Sequence, residues 1–249
     1  MSFLRKQESI QITPFLDPCL RRDDKEVTYM NYSAVIFDLD GTILLNEEVY
    51  ALAFCQVLKQ HGVHLSHKEQ TCPHALGIGM EENWKILRER FSLPSSLSLD
   101  QLAHETQDAY HKRIGEVVVR PGFWQLQEEL AEQGTLLALA TSNNWWLVED
   151  ELEDLGLTKY FNVTVTREEV ANAKPEPDLF FKSAEKLAVE PAECVVIEDS
   201  QAGVLAAREA GMKAVAVLGS YTSEEDFPEA DLIVEGFEDI TPNSLGLLF

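Results

Sequence analysis

The stretch VIFDLDGTI, residues 35–43, is the starting point for the fold. Its apolar first half is typical of a buried strand that ends at Asp38, and Gly41 then marks a turn. Two carboxylates, Asp38 and Asp40, follow this strand with one residue between them. Burying carboxylates beside an apolar strand is unfavourable unless a partner compensates their charge. The stretch therefore predicts a site in which both aspartates meet a common partner.

Further apolar runs downstream alternate with amphipathic segments of helical length. The predicted strands are TLLALA (135–140), NVTVT (162–166), CVVI (194–197), AVAVL (214–218) and DLIV (231–234). Strands that alternate with helices in this way favour right-handed crossovers and a parallel sheet. The predicted fold class is therefore α/β, with a doubly wound parallel sheet.

The segment from Leu44 to Glu116 has a different character and is predicted to be helical throughout, without a strand. Its first helix spans residues 47–62 and ends at Gly62. The simplest architecture is one α/β domain that a helical cap interrupts after the first strand. The predicted core comprises residues 30–45 and 119–249, and the predicted inserted α-helical cap domain comprises residues 46–118.

Residues 1–29 form an N-terminal extension without a clear hydrophobic period, and the pattern predicts an irregular arm. Two interpretations stay open. Parts of the arm resemble translated bacterial dispersed repeats, which would make Met30 the natural start. Alternatively, the arm docks on the body of the protein or on a partner subunit.

The chain has 249 residues and a net charge of −23, which argues against nucleic acid and anionic membrane surfaces as partners. Its four cysteines are scattered without a CxxC pair, as expected for free thiols in a reducing compartment. No apolar stretch is long enough to span a bilayer, and no signal peptide is evident. We expect a cytoplasmic protein, either a monomer or a weak homodimer.

Polar residues follow several predicted strands at the points where those strands end. In a parallel sheet, sites form at the carboxyl ends of the strands. The residues at these ends, together with the lysine of the loop after NVTVT, are Asp38, Asp40, Thr141, Ser142, Asn143, Lys174, Glu198 and Asp199. The four carboxylates would repel one another unless a cation lay among them, and oxygen ligands favour Mg²⁺. The remaining residues, Thr141, Ser142, Asn143 and Lys174, would present donors to a phosphoryl group.

Four stretches in this order, VIFDLDGTI, LALATSN, NAKPEPD and VIEDSQAG, resemble the motifs of the haloacid dehalogenase (HAD) superfamily. The resemblance covers about residues 34–218 and implies a Rossmann-like core. It implies that Asp38 is the nucleophile and that Asp40 is the general acid and base. The DxD pattern is that of the family's phosphotransferases, and the dehalogenase branch lacks the second aspartate.

The same resemblance implies roles for the other strand-end residues. Thr141 and Lys174 would hold the phosphoryl group. Mg²⁺ would be bound by Asp38, Asp199 and the backbone carbonyl of Asp40. Glu198 would either be a further ligand or contact the residues that bind the ion.

The helical insert resembles the small cap of the subgroup that contains β-phosphoglucomutase and many sugar-phosphate phosphatases. The sequence departs from that subgroup at several positions. Leu45 and Asn46 stand where related motifs often have aspartate and serine. Two further departures lie in the cap. Tyr50 stands where β-phosphoglucomutase has a cap histidine, and Met80 lies near the place where many relatives carry an arginine. Both departures favour simple hydrolysis over a mutase. The cap and cleft residues proposed to select the substrate are Tyr50, Met80, Asn83, Trp84 and Trp145.

The sequence thus predicts an Mg²⁺-dependent phosphatase that hydrolyses a small phosphomonoester, such as a sugar or polyol phosphate, through an aspartyl phosphate. One alternative is a β-phosphoglucomutase-like phosphomutase. A more distant alternative is a non-enzymatic phospho-aspartate signalling protein. A signalling receiver would have adjacent acidic residues and its acceptor aspartate on a later strand, and it would need no helical insert of this size.

Overall fold

The structure, a computed structural model, describes residues 31–71 and 73–249. Its main sheet has six parallel strands in the order β5-β4-β1-β6-β7-β8. These strands are β1 (Ala34–Phe37), β4 (Leu136–Ala140), β5 (Val163–Val165), β6 (Cys194–Glu198), β7 (Lys213–Val217) and β8 (Leu232–Val234). The strand that carries the two aspartates, β1, lies between β4 and β6 in the middle of the sheet. The prediction of a parallel α/β sheet is confirmed.

Helices form the insert and flank the sheet. The insert contains α1 (Glu47–Gln60), α2 (His67–Thr71), α3 (Met80–Arg90) and α4 (Leu99–His111). The helices that alternate with the later strands, and the helix near the carboxyl terminus, are α5 (Phe123–Glu132), α6 (Trp145–Asp154), α7 (Asp178–Leu187), α8 (Gln201–Glu209) and α9 (Pro242–Gly246).

Alternate residues of β1 pack on opposite faces of the sheet, as the pleat of a strand requires. Val35 and Phe37 join an apolar cluster that includes Phe123 of α5. Ala34 and Ile36 face a second cluster that includes Phe180 of α7. Helices therefore cover both faces of the sheet, which explains why β1 is apolar at every position. This arrangement is the doubly wound fold that the sequence predicts.

The prediction that residues 44–116 contain no strand is wrong at one point. Leu44–Leu45 form a short strand, β2, that pairs antiparallel with β3, Val118–Val119. The two chain segments that lead into and out of the helical insert run side by side here, and pairing satisfies their backbone groups. The predicted α-helical character also stops before Glu116, because α4 ends at His111 and Ile114–Glu116 form a 3₁₀ turn.

Across the described ranges, no helix combines the length and apolar character needed to cross a membrane. The prediction for the N-terminal arm and for Met30 lies outside the described residues.

Candidate active site

The carboxyl ends of β1, β4 and β6 bring the predicted polar residues to one edge of the sheet. Asp38 follows β1, Thr141 follows β4, and Asp199 follows β6. Gly41 adopts a left-handed φ of +79°, which turns the chain away after the aspartates. A Cβ atom at this glycine would lie 2.0 Å from Asp199 Oδ2. Glycine is therefore required here both for the turn and for the close approach of Asp199.

Lys174 forms the centre of a buried ion-pair cluster. Its Nζ atom lies 2.5 Å from Asp38 Oδ1 and 2.5 Å from Glu198 Oε1. The lysine side chain has no exposed surface. Burial alone would lower the pKa of Lys174, but the two carboxylates outweigh it and raise this pKa above its usual value. Lys174 is therefore held as a cation against Asp38.

Glu198 is held by donors on both of its oxygens. Besides Lys174 at Oε1, its Oε2 accepts hydrogen bonds from the backbone N–H of Asp199 and from both the backbone and the hydroxyl of Ser200. Gly203 of α8 also leaves room for this side chain, since a Cβ there would lie 1.9 Å from the Glu198 carboxyl carbon. This arrangement anchors Lys174 firmly. Ser200 and Gly203 were not singled out from the sequence, although both follow Glu198 in the quoted motif VIEDSQAG.

An acidic cluster lies beside Lys174. Asp38, Glu198 and Asp199 each place a carboxylate oxygen within 4.8 Å of the others. Asp199 accepts a hydrogen bond from the Thr42 hydroxyl at 3.0 Å. Burial, followed by the charges of Glu198 and Asp38, raises the pKa of Asp199 well above its usual value. Buried oxygen ligands with this excess of negative charge fit a hard divalent cation.

Asp40 has a different set of partners. Its Oδ1 accepts a hydrogen bond from the Asn46 amide at 2.7 Å. Its Oδ2 accepts from the Asn143 amide at 3.0 Å and from the Thr141 hydroxyl at 3.4 Å. Burial raises the pKa of Asp40, against the effect of these hydrogen bonds. Asn46 was noted in the sequence only as a departure from related motifs.

Two of the predicted phosphate-binding residues also connect the sheet edge to the helical insert. The Ser142 hydroxyl donates to the Gly77 carbonyl at 3.1 Å. The Asn143 side-chain oxygen accepts a hydrogen bond from the backbone N–H of Met80 at 3.3 Å. These two hydrogen bonds hold the loop before α3 over the carboxyl ends of the strands. A cleft lies between this loop and the strand ends.

The cleft has a polar floor and a largely apolar roof. Its roof includes Tyr50 and Phe54 of α1, Met80 of α3, and Leu76 and Ile78 of the preceding loop. The Tyr50 ring stacks on Tyr110 with the ring centroids 4.2 Å apart. The Tyr50 hydroxyl is buried, with no hydrogen-bond partner among the described residues. Two residues predicted to select the substrate, Tyr50 and Met80, thus line the cleft.

The other three substrate candidates take structural positions. The Asn83 side chain lines the cleft but is occupied by hydrogen bonds to the backbone of Ala75, Ile78 and Gly79. Trp84 is fully buried and donates its indole N–H to the Thr106 hydroxyl at 3.0 Å, so it does not reach the cleft. Trp145 packs against the apolar cluster on one face of the sheet and is absent from the described residues that line the cleft.

A family model for haloacid dehalogenase-like hydrolases matches residues 35–217. The chain belongs to this family. The prediction of a HAD enzyme with an α/β core and an inserted helical cap is therefore confirmed.

Two of the chain's relatives are named as phosphatases. The phosphorylated carbohydrates phosphatase of Thermotoga maritima is 33% identical over 185 residues, which cover 73% of this chain and 83% of that protein. The fructose-1-phosphate phosphatase of Escherichia coli is 30% identical over 190 residues, which cover 76% of this chain and 98% of that protein.

Solved structures of HAD proteins share the fold. CbbY from Rhodobacter sphaeroides, in complex with phosphate, matches with a TM-score of 0.72 and 28% identity, over 83% of this chain and 95% of that one. β-Phosphoglucomutase from Clostridium difficile matches with a TM-score of 0.76 over 87% of this chain and 96% of that one. Its identity of 24% supports a common fold only.

Proposed function

We propose that this chain is a metal-dependent phosphatase that hydrolyses a small phosphomonoester through an aspartyl phosphate on Asp38. The observation that carries the proposal is the contrast between the two aspartates. Asp38 forms an ion pair with Lys174, whereas the side chains that bond to the Asp40 carboxylate are neutral. Burial raises the pKa of Asp38, and the Lys174 ammonium acts in the opposite direction and favours the ionised form that a nucleophile needs. Asp40 is half-buried, its pKa is raised by burial, and with neutral hydrogen-bond donors it can carry a proton, as a general acid must.

The proposed reaction has two steps. In the first, a carboxylate oxygen of Asp38 attacks phosphorus, the bond between phosphorus and the alcohol oxygen breaks, and Asp40 gives its proton to that oxygen. In the second, water attacks the phosphorus of the aspartyl phosphate and passes a proton to Asp40. The bond between phosphorus and Asp38 then breaks, inorganic phosphate leaves, and both aspartates return to their starting states.

Lys174 and Thr141 support both steps. Lys174 offsets the negative charge on Asp38 as the phosphoryl group approaches, because its ammonium lies 2.5 Å from the nucleophilic carboxylate. The Thr141 hydroxyl offers a hydrogen bond to a phosphoryl oxygen. Glu198 fixes Lys174 from the opposite side, at 2.5 Å.

We propose that the acidic cluster holds Mg²⁺. Its ligands would be Asp38, Asp199 and the backbone carbonyl of Asp40, while Glu198 lies behind them because both of its oxygens already accept hydrogen bonds. When bound, the ion would neutralise negative charge around the transferring phosphoryl group. The support is the set of buried oxygen ligands and the raised pKa of Asp199.

The roof of the cleft supports a small, singly phosphorylated substrate. Among the described residues that line the cleft, none is a lysine or an arginine. A second phosphate would therefore have no cation to bind. The unpartnered Tyr50 hydroxyl offers one hydrogen bond to a substrate hydroxyl. The names of the relatives, which include phosphatases of phosphorylated carbohydrates and of fructose 1-phosphate, agree with a sugar or polyol phosphate.

A panel of phosphate esters, assayed with Mg²⁺ and after chelation, tests the proposal. We expect the wild-type protein to release phosphate only with metal, and Asp38→Asn to lose activity by at least about a thousandfold. Asp100→Asn, an exposed cap position, is the matched control. Rapid acid quenching should trap the phosphoryl group on Asp38 of the wild type.

Other outcomes of this panel separate the alternatives. Activity that survives in Asp38→Asn would contradict the mechanism. Interconversion of hexose phosphates with a bisphosphate primer would favour a mutase. A phosphoryl group that stays on Asp38 for many minutes without turnover would favour a signalling protein.

A further inference from the structure

A chain of hydrogen bonds leads from Asp40 into the protein interior, on the side opposite Asn143. The Asn46 amide donates to Asp40 Oδ1 at 2.7 Å and to the Tyr110 hydroxyl oxygen at 3.2 Å. The Tyr110 hydroxyl in turn donates to Glu151 Oε1. Asn46 and Tyr110 have no exposed surface, and Glu151 is 1% exposed. Water therefore does not compete with the bonds from Asn46 to Tyr110 and from Tyr110 to Glu151.

The members of this chain come from separate parts of the sequence. Asn46 directly precedes α1, Tyr110 lies on α4 of the insert, and Glu151 lies on α6 of the sheet domain. Two further contacts join α4 to α6. The Gln107 amide donates to the Leu147 carbonyl at 2.7 Å, and the rings of His104 and Trp146 stack with their centroids 4.3 Å apart. The hydrogen-bond chain thus exists only when α4 is docked on α6.

Each bond in the chain fixes the orientation of the next group. The Asn46 side-chain oxygen accepts a hydrogen bond from the Gly41 backbone N–H at 3.2 Å, so its amide nitrogen must point towards Asp40 and Tyr110. That nitrogen has two hydrogens, one for each partner. Tyr110 accepts one of them only while its own hydrogen points elsewhere, and Glu151 Oε1 is the acceptor that takes it.

Burying a glutamate side chain between two helices is energetically unfavourable. Glu151 Oε2 is buried and has no partner among the described residues. Burial and then the nearby charge of Asp40 raise the pKa of the Glu151 carboxyl to about 8. Well-packed apolar residues often replace buried charged groups at no loss of stability. A polar group in this place therefore points to a role other than stability.

We propose that Tyr110 and Glu151 are positioning residues that orient Asp40, through Asn46, towards the leaving-group oxygen. The inference rests on the proposed phosphatase activity and extends it. Because the hydrogen-bond chain crosses from α4 to α6, Asp40 is held in this orientation only while the insert is docked on the sheet domain. Neither residue touches the substrate.

The leaving group of the substrate provides a test that a merely structural role would not satisfy. Release of an alkyl alcohol needs a proton from Asp40, whereas release of p-nitrophenolate needs almost none. The value of kcat/KM reports only the steps up to the first irreversible one, which here is release of the leaving group. A defect in Asp40 should therefore appear in kcat/KM for a sugar phosphate and not for p-nitrophenyl phosphate.

Two variants, Tyr110→Phe and Glu151→Leu, break the hydrogen-bond chain. A third variant, Glu151→Gln, keeps an acceptor for the Tyr110 hydroxyl. We expect Tyr110→Phe and Glu151→Leu each to lower kcat/KM for the sugar phosphate by about tenfold, since general acid catalysis is worth about 10²–10⁴-fold and is here only weakened. For p-nitrophenyl phosphate we expect a change of less than about twofold. Glu151→Gln should stay within about twofold of wild type on both substrates.

Two control variants match these changes. Tyr32→Phe removes another buried hydroxyl, which donates to the Pro242 carbonyl at 3.2 Å and lies before the start of β1, whereas Asp40 follows the end of that strand. Glu153→Gln changes an exposed glutamate on the same helix as Glu151. Both should leave the ratio of the two kcat/KM values unchanged.

Equal losses on the two substrates, or no loss on either, would overturn the inference. So would a Glu151→Gln variant as impaired as Glu151→Leu, because an acceptor at this position would then be irrelevant. If Glu151→Leu fails to fold, Tyr110→Phe and Glu151→Gln still decide the question. A wild-type protein that hydrolyses neither ester contradicts the proposed function itself, and this outcome is recognised before any variant is measured.

Discussion

Lys174 Nζ lies 2.5 Å from Asp38 Oδ1, although 136 residues separate the two in the chain. The loop after β5 carries the lysine to the carboxyl end of β1, and neither side chain is more than 8% exposed. In this buried setting an ammonium and a carboxylate depend on each other, because each would be strongly destabilised alone. The pair therefore links the folding of the sheet edge to the chemistry proposed for it.

Removing the cation should destabilise the protein. Lys174→Met leaves Asp38 and Glu198 buried without their partner, so we expect the free energy of unfolding in metal-free buffer to fall by about 3–5 kcal/mol. Lys174→Met combined with Glu198→Gln should recover part of this loss, because one unpaired carboxylate becomes neutral. Urea unfolding measures both variants.

Lys85→Met is the matched control for this prediction. Lys85 is about half exposed and lies 3.7 Å from Glu82, so its removal should cost less than about 1 kcal/mol. A Lys174→Met variant no less stable than this control would show that the buried ion pair is not a structural requirement.

Mg²⁺ should raise the melting temperature of the protein, and Asp199 should be needed for this effect. The three carboxylates of Asp38, Glu198 and Asp199 carry more negative charge than the single Lys174 ammonium neutralises, and a bound divalent ion removes the remaining repulsion. Asp199→Asn takes one charge out of the cluster, so we expect a higher melting temperature than wild type in chelator and a much smaller response to Mg²⁺. Differential scanning fluorimetry across a Mg²⁺ titration measures both.

Asp100→Asn again serves as the control, since its side chain is 81% exposed. It should respond to Mg²⁺ as wild type does. If Asp199→Asn kept the full response, the metal would bind elsewhere.

Glu151 should make stability depend on pH. Its pKa is about 8 in the folded protein, against an ordinary value of 4.5, so the folded state holds a proton that the unfolded state releases between these values. The stabilising contribution of the protonated form is present at pH 4.5 and is lost as the pH rises towards 8. The slope is about 1.4 kcal/mol per pH unit at most for a single group.

The comparison that isolates this effect is wild type against Glu151→Gln, because other buried carboxylates titrate in both proteins. Urea unfolding at pH 5 should give similar stabilities, and at pH 8.5 Glu151→Gln should be the more stable protein. Parallel stability curves would mean that Glu151 has no raised pKa in the folded state.

Tyr50→Phe should separate substrate binding from stability. The Tyr50 hydroxyl is buried without a partner among the described residues, so its removal should raise the free energy of unfolding by about 1 kcal/mol. If the hydroxyl binds a substrate hydroxyl, KM for a sugar phosphate should rise by about tenfold while KM for p-nitrophenyl phosphate stays the same. Tyr32→Phe, which loses a satisfied buried hydroxyl, is the control. Equal KM values for wild type and Tyr50→Phe on the sugar phosphate would remove Tyr50 from the substrate site.

The residues at the strand ends are the part of the site that could be predicted from the sequence. Asp38, Thr141, Lys174 and Asp199 follow apolar runs that are buried on both faces of a parallel sheet, and such strands must deliver their following residues to a common edge. The meeting of these residues was therefore predictable from periodicity and motif order. The side chain of Trp84 was not, because one apolar residue on an amphipathic helix can face either a core or a cleft, and the pattern is the same for both.

The contact between Glu151 and Tyr110 could not be predicted from the sequence. Glu151 lies on the buried face of α6, three and four residues after Val148 and Leu147, which is a visible signal that a carboxylate is being buried. Its partner, Tyr110, lies 41 residues earlier on another helix, and nothing local in either helix specifies that pairing.

Three features could be predicted from the amino-acid sequence alone: the alternation of strands and helices, the sheet edge at which the carboxylates gather, and the family of the enzyme. These features depend on local hydrophobic periods and on short motifs, which can be read along the chain. The three-dimensional structure was needed to identify the neutral and charged partners of each aspartate and the cap residues that line the cleft. It was also needed to find that α4 contacts Asp40 through Asn46. Those contacts depend on how distant helices dock, and docking is set by packing over the whole surface of each element.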